Sequence, residues 1–199
     1  SRSGKVADGV IGVGEKLAKE LEKNGYGVIH DTTKYDWMDG KIDRSKAYNV
    51  SLAGVQKQLE IVNGYVGNLI IIDLHRDSVG KNRHTYTTID GKRTAIAMFF
   101  NGMSRNQSGE IAYLTNPNRE ANLAFSLQLK CHAMELFDGF TKPIYLKGYR
   151  YNLHLKERAL LIELGNENNT VEEAMNAAAP LAKVIADVLK GDVKHSFQG

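Results

Sequence analysis

Cysteine, proline and long apolar runs are all scarce in this chain. Its single cysteine, Cys131, excludes a disulfide within the chain and leaves the redox compartment open. That cysteine falls in a helical stretch beside Leu127, Leu129 and Leu136, which predicts an unreactive core thiol. Of the three prolines, Pro180 interrupts a helical pattern and predicts a kink or break there. No apolar run approaches the roughly 18 residues of a membrane span, so the chain as given is expected to be a soluble domain. Charge of one sign is lacking too. Lys and Arg number 26 against 23 Asp and Glu, with no block of five or six like charges, so no nucleic-acid partner is expected. A Ser or Cys nucleophile is not indicated, because no Gly-x-Ser-x-Gly elbow occurs and Cys131 sits inside a helix rather than at its N-terminus. Gly9, Gly12 and Gly14 follow no strand and lack the spacing of the phosphate-binding fingerprint. The chain opens at Ser1 without a secretory leader, so it is expected to derive from something longer.

What is present fits one domain spanning residues 1–199. Val10, Val13, Leu17 and Leu21 recur at helical spacing and Asn24-Gly25 follows, so residues 7–24 read as an amphipathic helix. Tyr26 to Asp31 reads as a short strand. Leu52, Val55, Leu59 and Val62 repeat the helical signal, Gly64 supplies a stop, and Leu69 to Leu74 is apolar on both faces, as a central parallel strand is. Asp90-Gly91 marks a hairpin within 85–100, an antiparallel addition to the sheet. Residues 101–117 read as a loop, 118–137 as a helix, 144–146 and 158–164 as strands. Thr170 and Glu173 form a capping box that opens a last helix running to Leu189. The fold class is therefore α/β, a mixed, mainly parallel central sheet flanked by helices.

In such sheets ligands bind beyond the carboxyl ends of strands, so polar residues there are the ones to weigh. His30-Asp31, His75-Arg76-Asp77 and Glu163 all stand at such ends. A His and a Glu at one sheet edge can hold zinc or pair it with a general base. The plainer reading is a local ion pair around His75 and a Glu163 that meets an arginine or a helix N-terminus. For His30 the plainer reading is a solvated turn. His84, His132, His154 and His195 read as surface or packing histidines.

Longer segments carry a resemblance. Ile-Ile-Ile-Asp-Leu-His-Arg-Asp-Ser (70–78), Asn-Pro-Asn-Arg-Glu-Ala-Asn-Leu (116–123), Tyr-Asn-Leu-His-Leu (151–155) and Leu-Leu-Ile-Glu-Leu-Gly-Asn-Glu-Asn-Asn-Thr-Val-Glu-Glu-Ala (160–174) together resemble the stage II sporulation protein P family. That family is related to the zinc N-acetylmuramoyl-L-alanine amidases, so the resemblance implies a zinc amidase-like fold and peptidoglycan as substrate. It implies His75 as a zinc (Zn2+) ligand and Glu163 as the catalytic glutamate, with His30 carried as a further candidate ligand. Asn152 and Asn169 fall within matching motifs and are expected to shape the site. Arg76 would neutralise a stem-peptide carboxylate or, as the preferred reading, hold Asp77. The resemblance also implies action during endospore engulfment, outside the cytoplasm, with the full-length protein anchored in the mother-cell membrane. Implied partners are a lytic transglycosylase, stage II sporulation protein D, and a membrane protein, stage II sporulation protein M. An additional endopeptidase activity is credited to members. The chain departs from the family in one respect: a His-Thr-His element followed by a Glu, which supplies the remaining zinc ligands, has no counterpart before residue 7. A non-catalytic wall-binding or scaffold domain therefore stands as the alternative, beside a different metal-dependent hydrolase.

Overall fold

Period-two alternation in two apolar segments organises the architecture. The computed structural model describes residues 5–38, 40–43, 46–62 and 69–191, so the expected stop at Gly64 and His195 lie outside the described residues. A 3-10 turn at Val6–Asp8 leads into α1 (Val10–Lys23), followed by the short pair β1 (Trp37–Met38) and β2 (Lys41–Ile42) and by α2 (Ala47–Ile61). Then come β3 (Ile71–Asp77), the hairpin β4 (Tyr86–Ile89) and β5 (Lys92–Ala95), β6 (Ala97–Gly102), and the short pair β7 (Arg105–Asn106) and β8 (Gly109–Glu110). The chain continues through α3 (Arg119–Leu136), β9 (Tyr145–Lys147), β10 (Ala159–Asn166), α4 (Val171–Asn176) and α5 (Ala178–Lys190).

The main sheet has the order β3-β10-β6-β9. β3 and β10 are parallel, β6 and β9 are parallel, and the antiparallel β10–β6 pairing joins them. The sheet is thus mixed α/β with parallel pairings in the majority. Leu74, Ile162 and Phe99 are lateral neighbours across β3, β10 and β6; Ile162 and Phe99 belong to the buried core with Val13 and Leu17 of α1, Phe125 and Leu129 of α3, and Leu181 and Ile185 of α5, and the half-buried Leu74 packs against it. Phe99, Ile162, Leu129, Leu181 and Ile185 are fully buried. Burying each such side chain contributes about 1.5–3 kcal/mol, and Leu161 and Phe100 add buried apolar area on the opposite face.

Several expectations need correction. Residues 26–31 join no sheet among the described residues. Tyr26 and Val28 pack against the core cluster instead, and the Tyr26 hydroxyl donates to the Ala186 carbonyl at 3.1 Å, so burial without ladder pairing explains their apolar pattern. The expected β-α-β opening is accordingly reduced to its second strand, which begins at Ile71 and runs on through His75 to Asp77. The hairpin turns at Asp90-Gly91, both with positive φ (50° and 74°), as a two-residue turn between twisted strands requires, but β4 and β5 form their own two-stranded sheet. Residues 101–117 hold the end of β6 and the β7–β8 pair as well as loop.

The capping box is present: Thr170 Oγ1 accepts from the Glu173 N–H at 3.1 Å, and Glu173 Oε2 accepts from the Thr170 N–H at 3.0 Å. The last helix is broken at Ala177, which places Pro180 in the first turn of α5, where its missing N–H costs nothing. Cys131 is only half-buried, and Leu127 and Leu136 beside it are exposed, so the thiol borders the core rather than filling it. His132 on the same helix is buried, with its ring nitrogens 3.0 Å from Asp187 and 3.3 Å from Glu135, a packing role between α3 and α5. No helix among the described residues is long and apolar enough to cross a membrane.

Candidate functional site

Strand alternation that sends Leu74 and Ile162 into the core sends their neighbours to the other face. His75 of β3 and Glu163 of β10 are direct register partners, with Met98 of β6 next in line. A parallel row lies one step back along the strands: Asp73, Leu161, Phe100 and Tyr145. Directly paired residues share a face, so two candidates far apart in sequence stand side by side.

The pair sits in a charged, half-buried setting. His75 Nε2 lies 2.7 Å from Asp73 Oδ1, both side chains being partly exposed. Burial acts to lower the basicity of the His75 ring, but the bond to Asp73 and the nearby Asp73 and Glu163 charges outweigh it, so its pKa is raised above 6.5. Burial first, opposed by His75 and reinforced by Asp77 and Asp73, holds the Glu163 carboxyl above its ordinary value of 4.5. Glu163 Oε2 is buried and has no hydrogen-bond partner among the described residues. A buried polar atom left open in this way is costly, and a catalytic role is one physical explanation for it.

Sequence reasoning missed three neighbours. Asp73 orients His75. Lys142, from the loop before β9, donates to Asp77 Oδ2 at 2.9 Å and is a cation close enough to act on Glu163. Tyr48 of α2 feels Asp73 and Glu163, and burial, then these carboxylates, hold its hydroxyl well above the ordinary phenol range, so it remains a proton donor. Asp73, His75 and Asp77 alternate with Ile72, Leu74 and Arg76, a period-two signal that could have placed the first three together. No comparable local signal points to Lys142 or Tyr48.

The remaining candidates go elsewhere. Arg76 lies on the opposite side, beneath α1 among Val10, Val13, Leu74 and Leu164, with Nη2 buried and lacking a partner among the described residues. It therefore does not hold Asp77, whose partner is Lys142. His30 packs its ring on Gly14 of α1, Nε2 falling 2.7 Å from where a Cβ would stand, and is not brought to the His75–Glu163 pair. Asn152 has a left-handed backbone (φ 59°), and its Nδ2 donates to the Tyr48 carbonyl and to Ser51 Oγ, both at 3.0 Å, tying the loop before β10 to α2. Asn169 is buried; its Nδ2 donates to the Thr85 carbonyl and to Glu173 Oε2, and its Oδ1 accepts from the Asn166 N–H. Glu173 also lies 2.7 Å from His84. His154 is half-buried, with Nδ1 buried and without a partner among the described residues.

A zinc ion needs about four donors, three from protein in a catalytic site. Among the described residues no group of three or more His, Cys, Asp or Glu converges to hold a metal. His75 singly suits a ligand, because the Asp73 contact is the kind that orients a metal-binding imidazole through its second nitrogen. The set as a whole does not fit a complete zinc site.

The profile of the Stage II sporulation protein P family matches residues 1–186. The chain is similar to Stage II sporulation protein P of Bacillus subtilis (strain 168), 27% identical over 184 residues, covering 88% of this chain and 42% of that protein. It thus spans less than half the length of this relative. No solved structure matches.

Proposed function

This chain belongs to the Stage II sporulation protein P family, and we propose that it acts in sporulation as a peptidoglycan hydrolase that releases stem peptides from glycan strands. The observation that carries the reading is the lateral pairing of Glu163 with His75, with one buried Glu163 oxygen left without a hydrogen-bond partner among the described residues. In this reading Glu163 is the proton carrier. A water attacks the lactyl carbonyl carbon of N-acetylmuramic acid, Glu163 accepts its proton, and the C–O bond forms. The C–N bond then breaks as Glu163 returns the proton to the leaving L-alanine nitrogen, leaving a free lactyl carboxyl and a free amine. A carboxylate made more basic by burial suits both transfers, which together contribute about 10²–10⁴-fold.

Zinc dependence belongs to the proposal through His75 alone, and the other donors would have to come from residues other than those described. Engulfment, an extracytoplasmic location, an endopeptidase activity and association with stage II sporulation proteins D and M are carried by the family resemblance. A wall-binding domain without catalysis is the second reading, favoured by the incomplete ligand set.

The test is release of stem peptides from purified peptidoglycan, with added zinc or with chelator, by the wild type and by Glu163→Gln. Release that requires metal and disappears in the variant supports the amidase. Wall binding with no release under either condition supports the second reading, and release undiminished in Glu163→Gln removes Glu163 from the chemistry.

A further inference from the structure

Four of the nine tyrosines gather on the face that carries Glu163, a concentration that core packing does not call for, since two of them stand in solvent. Tyr145 is 43% exposed and Tyr149 63% exposed. Ring contacts link them in a chain: Tyr145 to Phe100 at 5.3 Å between centroids, Phe100 to Tyr151 at 4.9 Å, Tyr151 to Tyr149 at 6.4 Å and to Tyr48 at 5.2 Å. Phe100 is buried, so it anchors the exposed rings to the sheet.

The backbone beneath is built to hold them. Tyr151 and Asn152 both have left-handed φ (50° and 59°), a conformation that costs a non-glycine residue of order 1 kcal/mol. The Asn152 amide locks it to α2. At Gly102 a Cβ would stand 2.4 Å from the Tyr149 carbonyl oxygen, so only glycine lets this loop lie against the end of β6. Strain retained and braced in this way marks a surface shaped for something besides packing.

Its position is directional. Tyr145 and Phe100 lie in the Asp73–Leu161 row, one step behind Glu163, whereas Asp77 and Lys142 lie ahead of it. Three strand spacings of about 4.8 Å carry the row roughly 14 Å from Asp73 to Tyr145. Flat rings with hydroxyl rims, and Lys147 set 5.4 Å over the Tyr145 ring, suit a ligand with apolar faces and polar edges. A pyranose has that form.

We propose that Tyr145, Tyr149 and Tyr151 form a sugar-stacking subsite that holds the N-acetylated glycan strand on one side of Glu163, leaving the stem peptide toward Lys142. This rests on the peptidoglycan reading above, whose amide joins a sugar to a peptide. The experiment is a titration by calorimetry of glycan strands stripped of stem peptide, and of free stem peptide, into the wild type, the double variant Tyr145→Ala/Tyr149→Ala, and Tyr145→Phe/Tyr149→Phe. Thermal unfolding of each variant runs in parallel, and both altered positions are exposed enough for the fold to be kept. The expected result is loss of glycan affinity by tenfold or more in the double alanine variant, with affinity retained in the phenylalanine variant. Unchanged glycan affinity in the double alanine variant, no glycan binding by the wild type, or loss confined to the free peptide each overturns it. Failure of the hydrolase reading shows differently, as wild-type glycan binding without stem-peptide release.

Discussion

Glu163 and Glu173 stand near the two ends of one connection, and the structure treats them in opposite ways. Glu173 is buried with its carboxylate spoken for: the Thr170 N–H and Asn169 amide donate to it and His84 lies against it. Burial raises its pKa, but His84, Asn169 and the Thr170 backbone outweigh burial and lower it below 4.5. Glu163 is less buried, yet one oxygen has no partner among the described residues and its pKa is raised. The first carboxylate fastens α4 to the loops at His84 and Asn169; the second keeps one oxygen without a partner among the described residues, the one the proposed function uses. Satisfaction of hydrogen bonds, more than depth of burial, separates the group that supports the fold from the group available for chemistry.

The contrast is most sharply tested by removing each charge. Glu163→Gln is expected to lower stem-peptide release by about 10²–10⁴-fold, read from initial rates. It should leave stability unchanged or raised at neutral pH. A carboxyl with a raised folded pKa favours folding only below its unfolded pKa, and that contribution is lost as pH rises through the folded value. Any gain in the variant should accordingly appear at neutral pH and fade on acidification. One residue away, Ile162→Ala empties the core face and should cost about 2–5 kcal/mol in denaturant unfolding. A smaller loss there would mean that the two faces are not divided as described.

Glu173→Gln should cost about 1–3 kcal/mol, because donors that now meet a carboxylate would meet an amide. Its pKa is depressed, so the stability it confers is present above the unfolded value and lost as pH falls through the folded one. The wild type should therefore lose stability on acidification below the ordinary glutamate value of 4.5 more steeply than the variant. Thr170→Ala, which removes one side of the box, should cost about 1 kcal/mol by the same unfolding measurement.

Much of this division was legible in the residues. The Thr170–Glu173 box depends on neighbours in sequence, and a local rule suffices to find it. His75 and Glu163 stood out as polar groups at the edges of apolar strands. Their placement beyond the strand ends was wrong, since both lie within strands, and the alternation of Asp73, His75 and Asp77 was the signal passed over. Arg76 was read by proximity in sequence to Asp77, but adjacent residues on a strand face opposite ways. Lys142, Tyr48 and the tyrosine row depend on register and on loop paths across the sheet, which no local pattern encodes. Residues 26–31 have a strand's composition, with Tyr26 and Val28 packed on the core, and have no partner strand among the described residues.

The most direct test measures two quantities on two variants: unfolding free energy and stem-peptide release for Glu163→Gln and for Glu173→Gln, beside the wild type. The account predicts a crossed result, with Glu163→Gln folded but inactive and Glu173→Gln less stable but active at temperatures where it remains folded. If both variants lose stability and activity together, or if Glu163→Gln keeps its activity, the two carboxylates are not divided between fold and chemistry.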